Sequence, residues 1–488
     1  MNSPALRLLT REDLERIHQA SLRILDEIGM QVEHARARDI LAGAGARVAK
    51  ANNRVHFPPE LVEKSRKQIA HRYTYHGRTP EFDWTASLDG TIGARNTGGP
   101  SGWIDPATDE YRPGTLADWR SFCILTDALP NMKALANMVC CDVPAKTTDL
   151  HSLRTVLESN RKCTVHGANT AKTFRYQIEM LLAVCGSREA MARRSPVHHM
   201  VPPINPLFLG EDYAEQILMA VDNQIPIDIP VMSIVGMTSP VTLAGTLAQT
   251  LAEELGTATL IQSTRPGHPM SFFIDPVIAN MRSGQALTAA PENALLVGAI
   301  CQIGTELFGL PTEAVGLYSD GYSGAQTMGQ KFQSVMFEAL SGGKLFVGAG
   351  CTESITTLSA AQIVIDDELM SVAQRWLRGI TVSDDTLAVD VLAEVGPHGE
   401  FLSEPHTVKG LRAGELIDLK LFEREGRRET WIDTGKPTLE SRAREQARHI
   451  LATHEVPPLP DEVLRELARI VKTADEELAG VVSPAAGH

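Results

Sequence analysis

The chain has 488 residues, 43% of them hydrophobic and 22% charged, an ordinary globular composition that excludes disorder as the main state and allows either about three domains or one elaborated α/β barrel. Its 46 Lys and Arg against 60 Asp and Glu give a formal net charge of −14, which repels a phosphate backbone and argues against nucleic acid as a partner. The charged start MNSPALRLLTREDLERIHQA lacks the apolar core of a signal peptide and no run of about 18 uncharged apolar residues follows, so the expectation is a soluble, cytoplasmic chain with no membrane partner.

In chain order, Thr10-Arg11-Glu12-Asp13 fits a capping box, and Leu14, Ile17, Leu22, Leu25 and Ile28 recur at helical spacing until Gly29, predicting an amphipathic helix. A short helix over Ala35 to Leu41, a hairpin of Ala46 to Val48 with Arg54 to Phe57, and a helix from Pro58-Pro59 to about Ala70 complete a predicted N-terminal α+β cap, residues 1–114. From Arg72 to Asn96 the pattern is short and extended, ending in the glycine-rich loop Thr97-Gly98-Gly99-Pro100-Ser101-Gly102.

Residues 115–400 then alternate helical stretches with short apolar runs: Ala134 to Val139, Cys163 to His166, Val197 to Val201, Val231 to Val235, Met270 to Ile274, Glu313 to Tyr318 and Lys344 to Val347. Strand, loop and helix repeated seven or eight times, with no strand-linked G-x-G-x-x-G, favour a closed (β/α)₈ barrel over an open sheet. In a barrel the chemistry gathers where strands end, so the residues after each run are the first candidates. Residues 401–488 are read as a C-terminal helical extension completing the barrel; its last helix, Pro460 to Leu478, carries Val463, Leu464, Leu467, Ile470 and Val471 on one face.

Four groupings carry possible chemistry. Gly348-Ala349-Gly350 after a strand resembles a phosphate loop, but Glu353 close behind would repel phosphate; small residues there also let a bulky partner approach. Cys163-Thr-Val-His166 has a metal-like spacing, yet strand alternation puts its two ends on opposite faces, and His198-His199 splits the same way, so a hydrogen-bonded core histidine is an equal reading. No metal site is expected, and the seven scattered cysteines, without any C-x-x-C, read as reduced core thiols. Tyr318-Ser-Asp320-Gly-Tyr322-Ser-Gly-Ala-Gln326 concentrates two rings, a carboxylate and an amide after a strand, which suits either a pocket for a small cation or a solvated loop with two packing tyrosines. With 13 Phe, 7 Tyr and 5 Trp in the whole chain, a tyrosine pair in one strand-end loop is informative.

An ordered set of fragments then goes beyond texture: Thr97-Gly98-Gly99 through Asp105, Tyr111-Arg112 and Thr115-Leu-Ala-Asp118; Arg265-Pro-Gly267 through Met281-Arg282-Ser-Gly284 and Pro291-Glu292; Gly309-Leu-Pro311, Ser319-Asp320 and Ala325-Gln326; Gly348-Ala-Gly350 through Glu353-Ser354 and Ile363-Val-Ile-Asp366. Together they resemble the trimethylamine methyltransferase family over roughly residues 10 to 475. The resemblance implies a TIM barrel that demethylates a methylated amine and passes the methyl to the cobalt of a separate corrinoid protein, so that cobalamin belongs to the partner. Ser319 to Lys331 holds only standard residues, so the chain is similar to the branch without pyrrolysine, whose members act on quaternary amines such as glycine betaine and carnitine. Gly324 stands where the family often has an acid and His398 where glycine is commoner, which bears on the substrate more than on the fold.

By this resemblance Asp320, Gln326 and Glu353 sit at the barrel mouth with His406 reaching over it. Tyr318 and Tyr322 offer aromatic faces to the ammonium, Glu353 or His406 protonates or solvates the departing amine, Asp320 is a third catalytic candidate, and His199 or Arg282 fixes a substrate carboxylate. A homo-oligomer is expected. A different methyl acceptor such as a folate, and a betaine-binding protein without turnover, are the competing readings.

Overall fold

The computed structural model describes residues 5–422 and 427–480. Eight parallel strands close on themselves: β1 (Gly93–Arg95), β2 (Ala134–Leu135), β3 (Cys163–Gly167), β4 (Val197–Met200), β5 (Ile227–Asp228, continued by Pro230–Val231), β6 (Phe273–Ile274), β7 (Glu313–Ala314) and β8 (Leu345–Val347). Each pairs with the next in parallel, through bridges Ala94↔Met132, Ile227↔Met270 and Phe272↔Thr312 where the ladders are short, and β8 returns to β1 with Leu345 opposite Gly93. One helix follows each strand: α1 (Leu116–Ala128), α2 (Thr148–Ser159), α3 (Ala171–Cys185), α4 (Glu211–Asp222), α5 (Leu243–Thr264), α6 (Pro291–Gln302), α7 (Ala325–Leu340) and α8 (Ala360–Arg378). This is the expected (β/α)₈ TIM barrel. Among the described residues no helix is long and apolar enough to cross a membrane.

Two strands differ from the sequence reading. β1 lies inside residues 1–114, so the barrel begins within the segment assigned to the cap; its residues Gly93-Ala94-Arg95 form no apolar run because its inward positions hold a glycine and an arginine. β5 is centred on Ile227 to Val231, ahead of the expected Val231 to Val235, because its inward residue is the polar Asp228.

The N-terminal layer forms as its pattern dictates. Thr10 and Asp13 make the capping box of the helix Arg11–Arg23, and the hairpin Arg47–Ala49 with Arg54–His56 extends to a third strand, Met30–Val32, which pairs in parallel with Phe208–Leu209 beyond β4. The C-terminal helix Leu439–Thr453 packs on α8 and α1, and Asp461–Ala474 buries Leu467, Ile470, Val471 and Ala474 against α2 and α3.

At the N-terminal end of the strands, called the foot here, the hairpin Arg72–Tyr75 with Trp84–Ser87 plugs the barrel, its Tyr73, Tyr75 and Trp84 packing on Ala134, Cys163, Val165 and Leu345. Above the plug the interior is charged. Arg95 of β1 donates to Glu313 of β7 at 3.0 and 2.7 Å and to Asp228 of β5 at 3.2 Å, and Tyr75 and Ser271 donate to the same carboxylates at 2.5 and 3.0 Å. Burial opposes the Arg95 charge, but Glu313 and Asp228 hold it firmly protonated. Burial, then the neighbouring Glu313 charge, pushes the Asp228 carboxyl well up.

Removing one member of a buried charge cluster leaves the others uncompensated, at a cost of about 3–5 kcal/mol. Arg95→Leu is therefore expected to lower the unfolding free energy by about that amount; urea denaturation of both chains measures it, and an unchanged midpoint would show that the centre does not hold the barrel together.

Candidate active site

Directly above the charged centre, three side chains from different strand ends converge. Asp275 follows β6, Thr97 lies just beyond β1, and Tyr318 just beyond β7. The Tyr318 hydroxyl donates to Asp275 Oδ2 at 2.9 Å and accepts from Thr97 Oγ1 at 3.1 Å. Asp275 Oδ1 is buried with no hydrogen-bond partner, and both Asp275 and Tyr318 are 1% exposed. Burial raises the Asp275 carboxyl to about 7, against the lowering effects of the Tyr318 hydroxyl and the Arg95 charge below. A carboxyl poised near neutrality, with one oxygen held and the other free, at the end of a barrel strand, has the attributes of a ligand-binding or proton-handling group. Phe273, whose ring lies 5.3 Å from the Arg95 guanidinium, and Met200, which abuts Gly98, add apolar wall.

The loops around this triad are built to hold it. Gly348 and Gly350 take φ of 109° and 75°; a Cβ on Gly348 would collide with the Tyr318 ring and come 2.7 Å from the Leu317 carbonyl carbon, and one on Gly350 would meet Phe122 at 2.7 Å. The bulky partners of the Gly348-Ala349-Gly350 motif are thus the protein's own rings. Behind the motif, Asp366 accepts from Lys331 Nζ and from the Gly350 amide, each at 2.7 Å, in a pair with both side chains fully buried.

Asp320 accepts from Thr288 N and Oγ1 (2.8 and 3.0 Å), Ala289 N (3.1 Å) and Ser354 Oγ (2.8 Å). Its carboxylate fastens together the loops that follow β6, β7 and β8, so it acts as a loop clamp, not as a free acid. Glu353, Ser354 and Ile355 take φ of 55°, 53° and 67° in succession, a left-handed turn costing roughly 1–2 kcal/mol per residue. It is held by Glu353 N to Gly321 O (3.0 Å) and Ser354 N to Ser319 O (2.8 Å). Strain of this kind concentrates at functional sites, and the half-buried Glu353 carboxylate makes no hydrogen bond or ion pair among the described residues.

The other sequence candidates lie elsewhere. Tyr322 is 77% exposed, and Arg282 and Gln326 are exposed too; Tyr322 and Arg282 lie on the loops after β7 and β6 that rim the mouth, and Gln326 in the first turn of α7. His199 points away from the mouth: it stacks on Phe174 of α3 at 3.6 Å and donates from Nε2 to Gln216 Oε1 of α4 at 3.0 Å. Burial lowers it to about 3, so it is neutral behind the barrel wall and holds no substrate carboxylate. Alternation gives the inward position to His198, stacked on Tyr75 at 4.3 Å and also lowered by burial to about 3. His406 lies on a segment whose two ends are held at the last turn of α8, where Arg375 and Arg378 donate to the Glu415 and Gly414 carbonyls. That turn is at the foot, and among the described residues His406 makes no hydrogen bond to the loops that rim the mouth. Among the described residues no group of three or more His, Cys, Asp or Glu could hold a metal ion.

Asp275 and Thr97 were missed as site residues because each sits singly in a loop signature. The usable signal for Asp275 was its position immediately after the apolar run Met270 to Ile274.

Between its ordinary value and about 7, native Asp275 keeps a proton that the unfolded chain has lost, so its contribution to stability falls as pH rises through that window. Asp275→Asn is expected to remove this fall, stabilising the chain by roughly 2–4 kcal/mol at about pH 8 relative to about pH 5. Thermal unfolding at the two pH values checks it, and parallel wild-type and variant profiles would show that Asp275 ionises normally.

A sequence profile described as trimethylamine methyltransferase (MTTB) matches residues 1–479. Trimethylamine methyltransferase MttB of Desulfitobacterium hafniense (strain DSM 10664 / DCB-2) is 30% identical over 472 residues, 96% of this chain and 93% of that protein. The glycine betaine methyltransferase of Desulfitobacterium hafniense (strain Y51) is 26% identical over 481 residues, 97% of this chain and 98% of that protein. The crystal structure of the Methanosarcina barkeri monomethylamine methyltransferase aligns with a TM-score of 0.50 at 13% identity, covering 91% of this chain and 94% of that one, a likeness of fold. With a barrel of the expected topology and a match that runs almost end to end, the chain belongs to the trimethylamine methyltransferase family.

Proposed function

We propose that the protein removes a methyl group from a small quaternary amine and delivers it to a corrinoid carried by a separate protein. The observation that carries this reading is Asp275: a carboxyl at the end of a barrel strand, with Oδ2 held by Tyr318 and Oδ1 free. An ammonium ion entering the mouth brings the positive charge that favours the ionised carboxylate, while Tyr318, Phe273 and Met200 supply the apolar and aromatic surface that suits N-methyl groups. A Co(I) corrinoid, as the second substrate, supplies the nucleophile. The C–N bond breaks with its electron pair staying on nitrogen, so a quaternary ammonium departs as a neutral tertiary amine and needs no covalent activation. Glu353, half-buried and without a hydrogen-bond or ion-pair partner among the described residues, then solvates that amine or, when it carries a proton itself, passes it to the amine nitrogen. The chain's main work is to orient one methyl and exclude water.

Family membership and the standard residues of Ser319 to Lys331 support the branch that works without pyrrolysine. Relatives named for trimethylamine and for glycine betaine support the methylamine class. For a betaine the carboxylate partner is Arg282, exposed on the turn between Val277–Ala279 and Ala286–Leu287; His199 is excluded by its position.

The test incubates the protein with Co(I) cobalamin and, in turn, trimethylamine, tetramethylammonium, glycine betaine and carnitine, following the loss of Co(I) absorbance. A quaternary amine is expected to react. Tyr318→Phe, which frees Asp275 Oδ2, is expected to slow the reaction about tenfold to a hundredfold; Glu353→Gln lowers it less, and Arg282→Ala selectively raises KM for the carboxylate-bearing substrates. Amine binding without any reaction would favour a binding protein, and demethylation that proceeds with a folate but not with cobalamin would favour that acceptor.

A further inference from the structure

At the foot, where the loop of the plug hairpin meets the end of α3, lies a cavity of about 250 Å³. Gly77 and Arg78 of that loop form one side, Val184 and Cys185 in the last turn of α3 another, and Arg193 and Arg194, just ahead of β4, a third. Three guanidiniums and no carboxylate line it, in a chain whose net charge is −14. The loop is fixed where it borders the cavity: Arg78 N donates to Arg161 O at 2.6 Å, Gly77 N to Asp83 Oδ1 at 3.0 Å, and Gly77 O accepts from Arg194 at 2.9 Å. A Cβ on Gly77 would come 2.6 Å from the Arg161 carbonyl oxygen, so the position has to be bare.

The three cations differ in what offsets them. Arg194 is paired with Asp83 at 2.5 and 2.9 Å, and the same carboxylate takes His76 at 3.0 Å. Arg78 gives its hydrogen bonds to carbonyl oxygens, of Leu157 at 3.0 Å and Pro457 at 2.6 Å, and makes no ion pair among the described residues. The rest of its five N–H donors are unspent. Burial lowers the Arg78 guanidinium below its ordinary value; the Asp127 charge offsets part of this and the Arg161 charge adds to it, Asp127 itself being held by Arg161 and His454. The Arg193 side chain is exposed and makes no hydrogen bond or ion pair among the described residues, while Glu189, one turn earlier on the helix Arg188–Arg193, bonds Ser187 instead. The carbonyl ends of α3 and of that helix bring at most about half a negative charge each, less than the two unpaired guanidiniums carry.

We propose that this cavity binds a phosphate group carried by a small molecule. A tetrahedral oxyanion presents oxygens in several directions at once, which suits guanidinium forks approaching from separate segments; a planar carboxylate would engage fewer of them. At about 250 Å³ the space falls below the ~300–1,000 Å³ that encloses drug-sized ligands, so it takes inorganic phosphate or the phosphate end of a larger molecule whose remainder projects outward. Arg78 and Arg194 are held in place before a ligand arrives, which reduces the ordering cost of binding, and Arg193 closes on it from the surface. Bound phosphate ties the plug loop to the residues that lead into β4. The site lies at the foot, apart from Asp275, and stands or falls independently of the proposed reaction.

Isothermal titration calorimetry of the full chain at constant ionic strength, with inorganic phosphate, AMP and ATP in turn, is expected to show saturable binding of at least one, with a Kd of about 1 mM or tighter. Arg193→Glu, on the surface, is expected to weaken that binding about tenfold or more while the thermal midpoint without phosphate stays unchanged; Arg78→Gln is expected to weaken it too. Because Arg78 also anchors two carbonyls, the unmodified chain supplies a second readout: the phosphate compound protects residues 76–79 and 188–195 from hydrogen exchange and leaves the mouth loop 96–102 as it was. Nucleotides that bind about tenfold tighter than inorganic phosphate identify a phosphate ester as the occupant, and otherwise it is the free ion. No saturable binding below ~10 mM, binding that Arg193→Glu leaves intact, or protection confined to other segments would overturn the inference.

Discussion

The interior of this barrel is organised around one buried cation. Arg95 satisfies two carboxylates from strands on either side of β6, and those carboxylates accept in turn from Tyr75 of the foot hairpin and from Ser271. A guanidinium buried this deeply survives because its partners neutralise it and its geometry matches theirs. The arrangement ties β1, β5 and β7 to the plug beneath them and fixes the height at which the interior changes from charged to ligand-sized. Asp275 sits above this layer, close enough to feel the Arg95 charge but buried enough to hold its proton near neutrality.

The mouth repeats the same logic at its rim. Asp320 is spent on joining three loops; that fastening supports the left-handed turn at Glu353, and the Gly348-Ala349-Gly350 segment makes room for the Tyr318 ring. Residues that look catalytic by type are here divided between those that touch the central space and those that position them. Asp320 and Asp366 belong to the second group, while Asp275 and Tyr318 meet above the charged centre.

Much of the fold was legible because burial leaves a pattern. Six of the eight strands carry apolar runs, and the N-terminal helix and hairpin announce themselves by caps and turns. β1 was invisible because its inward residues are Gly93 and Arg95, whose placement only makes sense once Glu313 and Asp228 are across from them. The site was half legible. Tyr318 was singled out through the scarcity of aromatics and Glu353 through its proximity to a glycine loop, whereas the choice between His198 and His199 turns on strand register, which two adjacent histidines cannot reveal. The place of His406 was not legible because a motif shows which residues accompany a fold but not which end of the barrel they occupy. Arg282, on the loop after β6, and Gln326, in the first turn of α7, are on the solvent side.

The hairpin that stoppers the foot has a kinetic meaning. With Tyr73, Tyr75 and Trp84 closing the foot, the way to Asp275 lies on the mouth side. On the proposed reaction, the amine enters the mouth before the methyl acceptor covers it, and the demethylated amine departs after that cover lifts. On that reaction, a large methyl acceptor in excess would slow the cycle by covering an empty mouth.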